Sequence, residues 1–280
     1  MKLKKPLSYC AVIIWYNPSQ SDIANTHNLA ELIPCVLVID NSDNSNSLHI
    51  KKTNIQYYPL HNNLGIATAL NYGFQKAFEL GFKYALSLDQ DSNFDADNLL
   101  KFEEQASQLF KDGLTAIVAA SLQIDNEAPK PQIKKTNITS GSMTSLNAWK
   151  QVGGFKDDFF IDHVDHEFCL RLNQRNFLIY QLPDVYMKHA LGYPKTKKLL
   201  GKIYTSPGYS ADRLYYYYRN RLYLAKYRKE SFHSVSMFLY RKARLILLVE
   251  DKRLPKIVAM LTGVAHYLMK KSGPRKSRIK

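Results

Sequence analysis

Cysteine is scarce in this chain: Cys10, Cys35 and Cys169 are the three among 280 residues, far apart and each set in an apolar run. An odd, dispersed set excludes a disulfide framework and a zinc site, so the thiols are expected to be buried in a reducing compartment. Long hydrophobic runs are missing too. No window of about 18 uninterrupted apolar residues occurs, which excludes a single membrane-crossing helix. The best candidate, residues 257–269, is short and carries His266. No small-residue cleavage site follows the basic start Met1-Lys2-Leu3-Lys4-Lys5, so no secretory signal is expected. Internal repeats and extended low-complexity tracts are also absent. Acidic residues nearly vanish from the C-terminal third: residues 186–280 hold 4 against 23 basic ones, whereas residues 1–185 hold 20 against 16. The overall charge of +15 therefore comes from a basic tail on a near-neutral body. Such a tail meets polyanions: nucleic acid, an anionic membrane leaflet or phosphorylated substrates.

What is present is an α/β rhythm. Hydrophobic content of 45% and charged content of 22% are ordinary for a globular chain, and 280 residues can bury one full core plus an appendage. Residues 9–16 and 35–39 are short, wholly apolar runs, as expected for strands covered on both faces. Residues 55–60, 84–88, 115–121 and 177–182 read as further strands, and 138–145 follows a loop over 125–135. Helices are predicted over 21–32, 65–80, 95–110 and 164–173; in the second, Ile66, Leu70, Phe74 and Phe78 share one face. The expected fold is an open, mostly parallel sheet with helices on both faces, whose ligands bind beyond the carboxyl ends of the strands. From residue 212 the pattern is helical, over 212–228, 232–249 and 255–271. This predicts one domain over 1–210 and a basic amphipathic helical extension over 211–280.

The segment Leu86-Ser87-Leu88-Asp89-Gln90-Asp91-Ser92 is a buried strand ending in two carboxylates. Asp89 and Asp91 project on one side where the strand emerges, with Gln90 on the other. Two hard oxygen ligands so placed can hold Mg²⁺ or Mn²⁺ against a diphosphate. A second Asp-x-Asp, Asp95-Ala96-Asp97, precedes Leu99, Leu100 and Phe102 and reads as the acidic start of a helix. Asp40, Asn63 and Asp89 all fall at or just beyond strand ends.

These segments occur in a specific order: Ile14-Trp15-Tyr16-Asn17-Pro18, Val38-Ile39-Asp40-Asn41-Ser42, Asn62-Asn63-Leu64-Gly65, Leu88-Asp89-Gln90-Asp91-Ser92, Thr139-Ser140-Gly141-Ser142, Gly153-Gly154-Phe155, and Phe160 through Arg171. Together, over residues 11–228, they resemble the inverting family 2 glycosyltransferases of GT-A fold, and are most similar to the branch of bacterial rhamnosyltransferases. The resemblance implies a nucleotide-sugar site at Asn17, Asp40, Asn63, Gly65 and Asp89. In it Asp40 accepts the imide N–H of the base and Asp91 coordinates the metal. It implies a carboxylate base at Asp165, where the common Glu-Asp pair is here Val164-Asp165. A late histidine, His189, is implied as a further metal or diphosphate contact. Gly141, Ser142, Trp149 and Asp162 are implied to lie near the donor and acceptor sugars. The implied partners are a dTDP- or UDP-sugar, with dTDP-L-rhamnose favoured, and a glycan acceptor on a polyprenyl diphosphate. The chain would be cytoplasmic, at the inner face of the membrane. UDP-hexose and UDP-galactofuranose donors stay open.

The tail allows a different class. Arg213, Arg219, Arg221, Lys226 and Arg228 interleave with Tyr215, Tyr216, Tyr217, Tyr218 and Tyr223. Basic plus aromatic residues suit single-stranded nucleic acid, or an anionic membrane surface on which helices lie flat. The acidic body argues against nucleic acid. A sugar nucleotidyltransferase would want a Gly-rich, basic loop after the first strand, and Trp15-Tyr16-Asn17-Pro18-Ser19-Gln20 supplies none.

Overall fold

The computed structural model describes residues 7–50, 52–123, 130–189, 194–199 and 201–275. The chain forms two compact units, one of Met1–Lys156 with Asp165–Ala190, the other of Asp157–Val164 with Leu191–Lys280. The basic extension expected from residue 211 falls inside the second unit, which also takes in residues 191–210 and the short 157–164 segment.

In the first unit, β1 (Tyr9–Trp15), α1 (Gln20–Leu32), β2 (Val36–Asp40), β3 (Ile55–Pro59), α2 (Ile66–Glu79), β4 (Tyr84–Asp89), α3 (Ala96–Leu109) and β5 (Thr115–Ser121) alternate as expected. They are followed by β6 (Gln132–Ile133), β7 (Ser142–Ser145), α4 (Leu146–Gln151), α5 (Val164–Gln174) and β8 (Leu178–Tyr186). Every residue of β1, β2 and β5 is buried, which is why these runs do not alternate and are apolar except for Asp40, Thr115 and Ser121 at strand ends. Ala11, Ile13 and Trp15 of β1 join Ile23, Leu29 and Phe102 of α1 and α3 in one core. Val12, pointing the other way, lies so close to α2 that a Cβ on Gly73 would sit 2.4 Å from its Cγ1.

The sheet order is β3-β2-β1-β4-β7-β5-β8-β6. The β1, β2, β3 and β4 pairings are parallel, as is β5 with β8, whereas β7 is antiparallel to both β4 and β5. This antiparallel insertion carried no signal in the apolar pattern, and β6 falls within the predicted 125–135 loop. The strand order reverses at β1, so its end is flanked on both sides: Trp15 pairs with Asp40, and Ile14 with Asp89. Side chains from three loops therefore gather at one topological switch point.

The second unit holds β9 (Lys195–Leu199) and β10 (Lys202–Ser206), paired as an antiparallel hairpin, then α6 (Ala211–Tyr227), α7 (Phe232–Val249) and α8 (Arg253–Leu268). The three helices are those the sequence predicts; the hairpin is lysine-rich and lacked an apolar pattern to reveal it. Helices α6 and α8 approach closely, because a Cβ on Gly263 would lie 2.6 Å from the Tyr215 carbonyl oxygen. Their contact is closed by a 2.8 Å hydrogen bond between Tyr215 Oη and His266 Nδ1.

Here one expectation is corrected. Arg219, read as a residue for polyanions, is 1% exposed. Its guanidinium donates to the Gly273 carbonyl at 2.6 Å and the Asp158 carbonyl at 2.7 Å, and lies over the Tyr215 and Tyr216 rings. The adjacent Asn220 Nδ2 reaches the carbonyls of Phe159, Ile161 and Asp162. Arg219 and Asn220 hold the 157–164 segment, in which Phe160, Asp162 and His163 all have positive φ. That backbone is costly for side-chain-bearing residues and persists because α6 fixes its carbonyls.

Candidate active site

Asp89 ends β4 and Asp91 lies in the turn that follows, closed by a 3.0 Å bond from the Ser92 N–H to the Asp89 carbonyl. Three contacts shape this turn. Asn25 Nδ2 on α1 donates to the carbonyls of Gln90 (3.0 Å) and Ser92 (2.7 Å). Gln90 Oε1 accepts the Tyr16 N–H at 2.8 Å, while its Nε2 reaches Asp22 at 3.1 Å. The Asp89 N–H donates to Ser140 Oγ at 3.0 Å, and Ser140 Oγ lies 2.7 Å from Ser92 Oγ. Gln90, the residue between the carboxylates, thus ties the turn to the loop after β1.

His189 arrives from 97 residues beyond Ser92. Asn93 and Lys188 form an isolated antiparallel bridge with two 2.9 Å bonds, which delivers the residue after Lys188 to the turn. His189 Nδ1 is 2.8 Å from Ser92 Oγ and 3.2 Å from Asp91 Oδ1. Ligand atoms of Asp89, Asp91 and His189 all lie within 4.8 Å of one another. Asp91 Oδ1 is buried yet has no well-aligned hydrogen-bond partner among the described residues. Asp91 raises the His189 pKa against the opposing effect of burial, and the charge of Asp89 adds to it. A buried, under-satisfied carboxylate oxygen beside a second carboxylate and an imidazole is a donor set that fits one divalent cation. The sequence-predicted trio is therefore brought together.

The other predicted nucleotide residues surround the ends of β1 and β2. Asn17 has φ +46° and its N–H donates to Ser42 Oγ at 2.7 Å. Asp40 is 1% exposed, and both its oxygens are engaged within the protein. Oδ1 takes the Ser42 N–H, and Oδ2 takes the Asn46 N–H, Asn46 Nδ2 and Tyr57 O–H. Its observed work is thus to fold the 41–46 turn, whereas the sequence reading had it facing the base directly. Asn63 Oδ1 accepts the Gly65 N–H at 3.0 Å and Asn41 Nδ2 at 3.1 Å. Asn41 Oδ1 in turn takes the Leu64 N–H at 2.8 Å. Gly65 caps α2 at φ +86° without a side-chain cap, a backbone only glycine adopts readily.

Gly141 stands beside the acidic turn at φ +74°, its N–H on the Ser87 carbonyl, and a Cβ there would meet Met187 Sδ at 2.6 Å. Ser142 is buried and donates to the Ile138 carbonyl at 2.6 Å. Trp149 is 7% exposed, with its indole N–H on Asn71 Oδ1 at 3.1 Å and its ring edge-on to Phe74. The expected acceptor contact at Ser142 and Trp149 meets two side chains that the core already uses. Asp162 belongs to the second unit, where Arg213 forks onto it at 3.2 Å.

Asp165 lies in the first turn of α5, where the helix dipole favours an anion. Its Oδ1 faces both the N–H and the Nδ1 of His166, at 2.7 and 2.8 Å. Two residues on, Glu167 is buried and held bidentately by Arg171 (2.7 Å twice), whose remaining donors take the Val152 and Gly154 carbonyls. That pair anchors α5 to the Gly153-Gly154 turn. Sequence reasoning missed His166, Asn41, Ser140 and Asn25. Of these only His166, adjacent to the predicted base, carried a readable signal.

Comparisons with known proteins give the family and the fold. The profile of the family described as Glycosyl transferase family 2 matches residues 10–171. A dTDP-rhamnosyl transferase of Shigella flexneri, RfbF, is 31% identical over 243 residues, covering 77% of this chain and 79% of that protein. Among solved structures, GalNAc-T7 with UDP, GalNAc and Mn²⁺ matches with a TM-score of 0.57 at 13% identity, over 80% of this chain and 48% of that one. Residues 1–349 of S. aureus TarS match with a TM-score of 0.53 at 15% identity, over 94% and 72%. The chain thus spans about half the length of the first of these structures. At such identities the likeness is one of fold, and that fold is GT-A.

Proposed function

The chain belongs to glycosyltransferase family 2, and from that premise we propose that it moves L-rhamnose from dTDP-L-rhamnose onto a glycan acceptor with inversion at the anomeric carbon. The observation carrying the catalytic reading is the Asp89, Asp91 and His189 cluster with its buried, under-satisfied oxygen. Residues 1–210 bind the donor and perform the transfer. Asn17, Asn63, Gly65 and Asp89 orient the nucleotide, with Asp40 and Asn41 shaping the loops that receive it. Asp91, Asp89 and His189 would hold Mg²⁺ or Mn²⁺, which supplies positive charge against the departing diphosphate. Asp165 takes the proton of the acceptor hydroxyl as the new bond forms, oriented by His166. The donor choice rests on the name of the Shigella relative. The basic excess after residue 186 supports an acceptor carried on a polyprenyl diphosphate, with the chain peripherally bound to an anionic membrane at its cytoplasmic face.

Thermal stability against dTDP- and UDP-sugars, with and without Mn²⁺ or Mg²⁺, tests this. A donor at about 100 times its dissociation constant stabilises by about 2.7 kcal/mol. The expected result is a metal-dependent shift with dTDP-L-rhamnose that disappears in Asp91→Ala. A shift with a UDP-sugar alone would reassign the donor, and a shift that survives Asp91→Ala would remove the metal reading.

A further inference from the structure

Helix α8 turns apolar residues outward. At 3.6 residues per turn, Leu254, Val258, Leu261, Ala265 and Leu268 fall within about 40° of one line along the helix. Four of them are exposed: Leu254 by 73%, Val258 by 46%, Leu261 by 59% and Leu268 by 72%. The opposite line, Lys256, Ala259, Gly263 and His266, is the one packed inward against α6 and Glu250. A surface helix ordinarily presents its polar face to water. Here the only cation between Leu254 and Leu268 is the buried Lys256, so the outer face has no charge along its whole length.

Cations stand instead at both ends, Lys252 and Arg253 before the stripe and Lys270 and Lys271 after it, all exposed. The outer face of α7 mixes the same ingredients, with Met237, Tyr240 and Leu247 exposed beside Arg241 and Arg244. The four acids of residues 191–280 are already matched: Asp212 to Arg275, Glu230 to Arg221, Glu250 to Lys256 and Asp251 to Lys195. The remaining positive charge of this stretch therefore seeks an external anion. At 1.5 Å per residue the 16 residues of α8 span about 24 Å, short of a bilayer core of about 30 Å. No described helix is long and apolar enough to cross a membrane.

We propose that α8 lies in the plane of an anionic bilayer, with Leu254, Val258, Leu261 and Leu268 in the acyl boundary and Lys252, Arg253, Lys270 and Lys271 among the headgroup phosphates. This deepens the membrane reading of the proposed function and rests on it. An apolar stripe alone would suit a second copy of the chain equally well. The bracketing cations favour the bilayer, because two copies would bring like charges together at both ends.

The test is co-sedimentation of the full chain with vesicles of phosphatidylglycerol and phosphatidylethanolamine, against vesicles of phosphatidylcholine, alongside sedimentation velocity without lipid. Wild type should bind the anionic vesicles. Leu254→Glu and Leu261→Glu should each weaken that binding at least tenfold at unchanged melting temperature, since both side chains are exposed. Leu261→Asn serves if the charged variants melt lower. Lys270→Gln with Lys271→Gln should weaken binding to anionic vesicles only. A wild type that ignores all vesicles overturns the membrane reading and this assignment with it. Wild-type binding that Leu261→Glu leaves intact overturns only the assignment to α8. A dimer that Leu261→Glu dissociates, with vesicle binding unaltered, gives the face to a second copy.

Discussion

At the residue scale, the proposal that bears most directly on chemistry, beside the Asp89, Asp91 and His189 cluster, concerns the adjacent pair of Asp165 and His166. A first-turn aspartate is commonplace at a helix N-terminus, so the reading of Asp165 as the base rests on the motif around it rather than on its position alone. The structure adds a local partner for that carboxylate, the His166 imidazole, whose Nδ1 lies 2.8 Å from Asp165 Oδ1. Asp165→Asn keeps shape and hydrogen-bonding size but cannot take a proton. It should lower kcat by about 10²–10⁴, while the metal-dependent thermal shift with donor persists. His166→Ala loosens the carboxylate without removing it and should cost less, about ten- to a hundredfold in kcat. Loss of donor binding in Asp165→Asn would show that the carboxylate builds the nucleotide site instead. Residue-scale misses share one cause. Asn25, Asn41 and Ser140 work through backbone atoms distant in sequence, and Trp149 and Arg219 were read as available because nothing local marks a polar group whose partner is remote.

At the scale of elements, the sequence was most readable where burial is two-sided. The fully buried β1, β2 and β5, apolar except for Asp40, Thr115 and Ser121 at strand ends, and the one-faced α2 were predicted within a residue or two, because exclusion from water leaves a direct mark on composition. Strand β7 and the β9–β10 hairpin escaped because backbone pairing defines them, with short or lysine-rich stretches carrying no period. What joins the elements of the second unit is likewise invisible locally. Glu250, 2% exposed at the end of α7, accepts from Lys256 Nζ of α8 at 2.6 Å, from Ser206 Oγ of β10 and from the Gly208 N–H. Burial pushes its pKa up, but Lys256, Ser206 and Gly208 outweigh this and hold the carboxyl below its ordinary value. A lowered folded-state pKa contributes stability that is complete above the unfolded value of about 4.3. It is lost as pH falls through the folded value. Glu250→Gln leaves Lys256 buried without its counter-charge and should cost about 3 kcal/mol at pH 7. The gap to wild type should narrow as pH falls below the ordinary carboxyl value and through the lowered folded-state one, where wild type also loses the charge. Adding Lys256→Met should recover most of the loss. Urea unfolding followed by tyrosine near-ultraviolet circular dichroism at neutral and at low pH reads these outcomes. An undiminished gap at low pH would mean that packing, and not the ion pair, carries the effect.

At the scale of the whole molecule, charge is divided as sharply as structure. The body has more acids than bases, and two of its carboxylates meet a histidine at the turn after β4; the basic excess lies in the residues that build most of the second unit. That division was the feature most legible from composition, yet the simplest way to test it, removal of residues 231–280, is unsound. The lost stretch would include the face that covers Tyr215 through Ala259, Gly263 and His266, and the Gly273 carbonyl on which buried Arg219 depends. A truncated chain would leave the bulk phase because it unfolds, whatever its affinity for lipid. Salt separates the two activities with the chain intact. Exposed charges are screened over about 10 Å at 0.1 M salt and about 3 Å at 1 M, whereas partly buried pairs are screened much less. Raising sodium chloride from 0.05 to 0.5 M should therefore release the protein from anionic vesicles by at least tenfold. The Mn²⁺-dependent thermal shift with donor, which draws on the half-buried Asp89, Asp91 and His189, should change by less than a factor of three in apparent affinity. Parallel loss of both would mean that one electrostatic surface serves donor and membrane alike, and the functional division between body and tail would have to be abandoned.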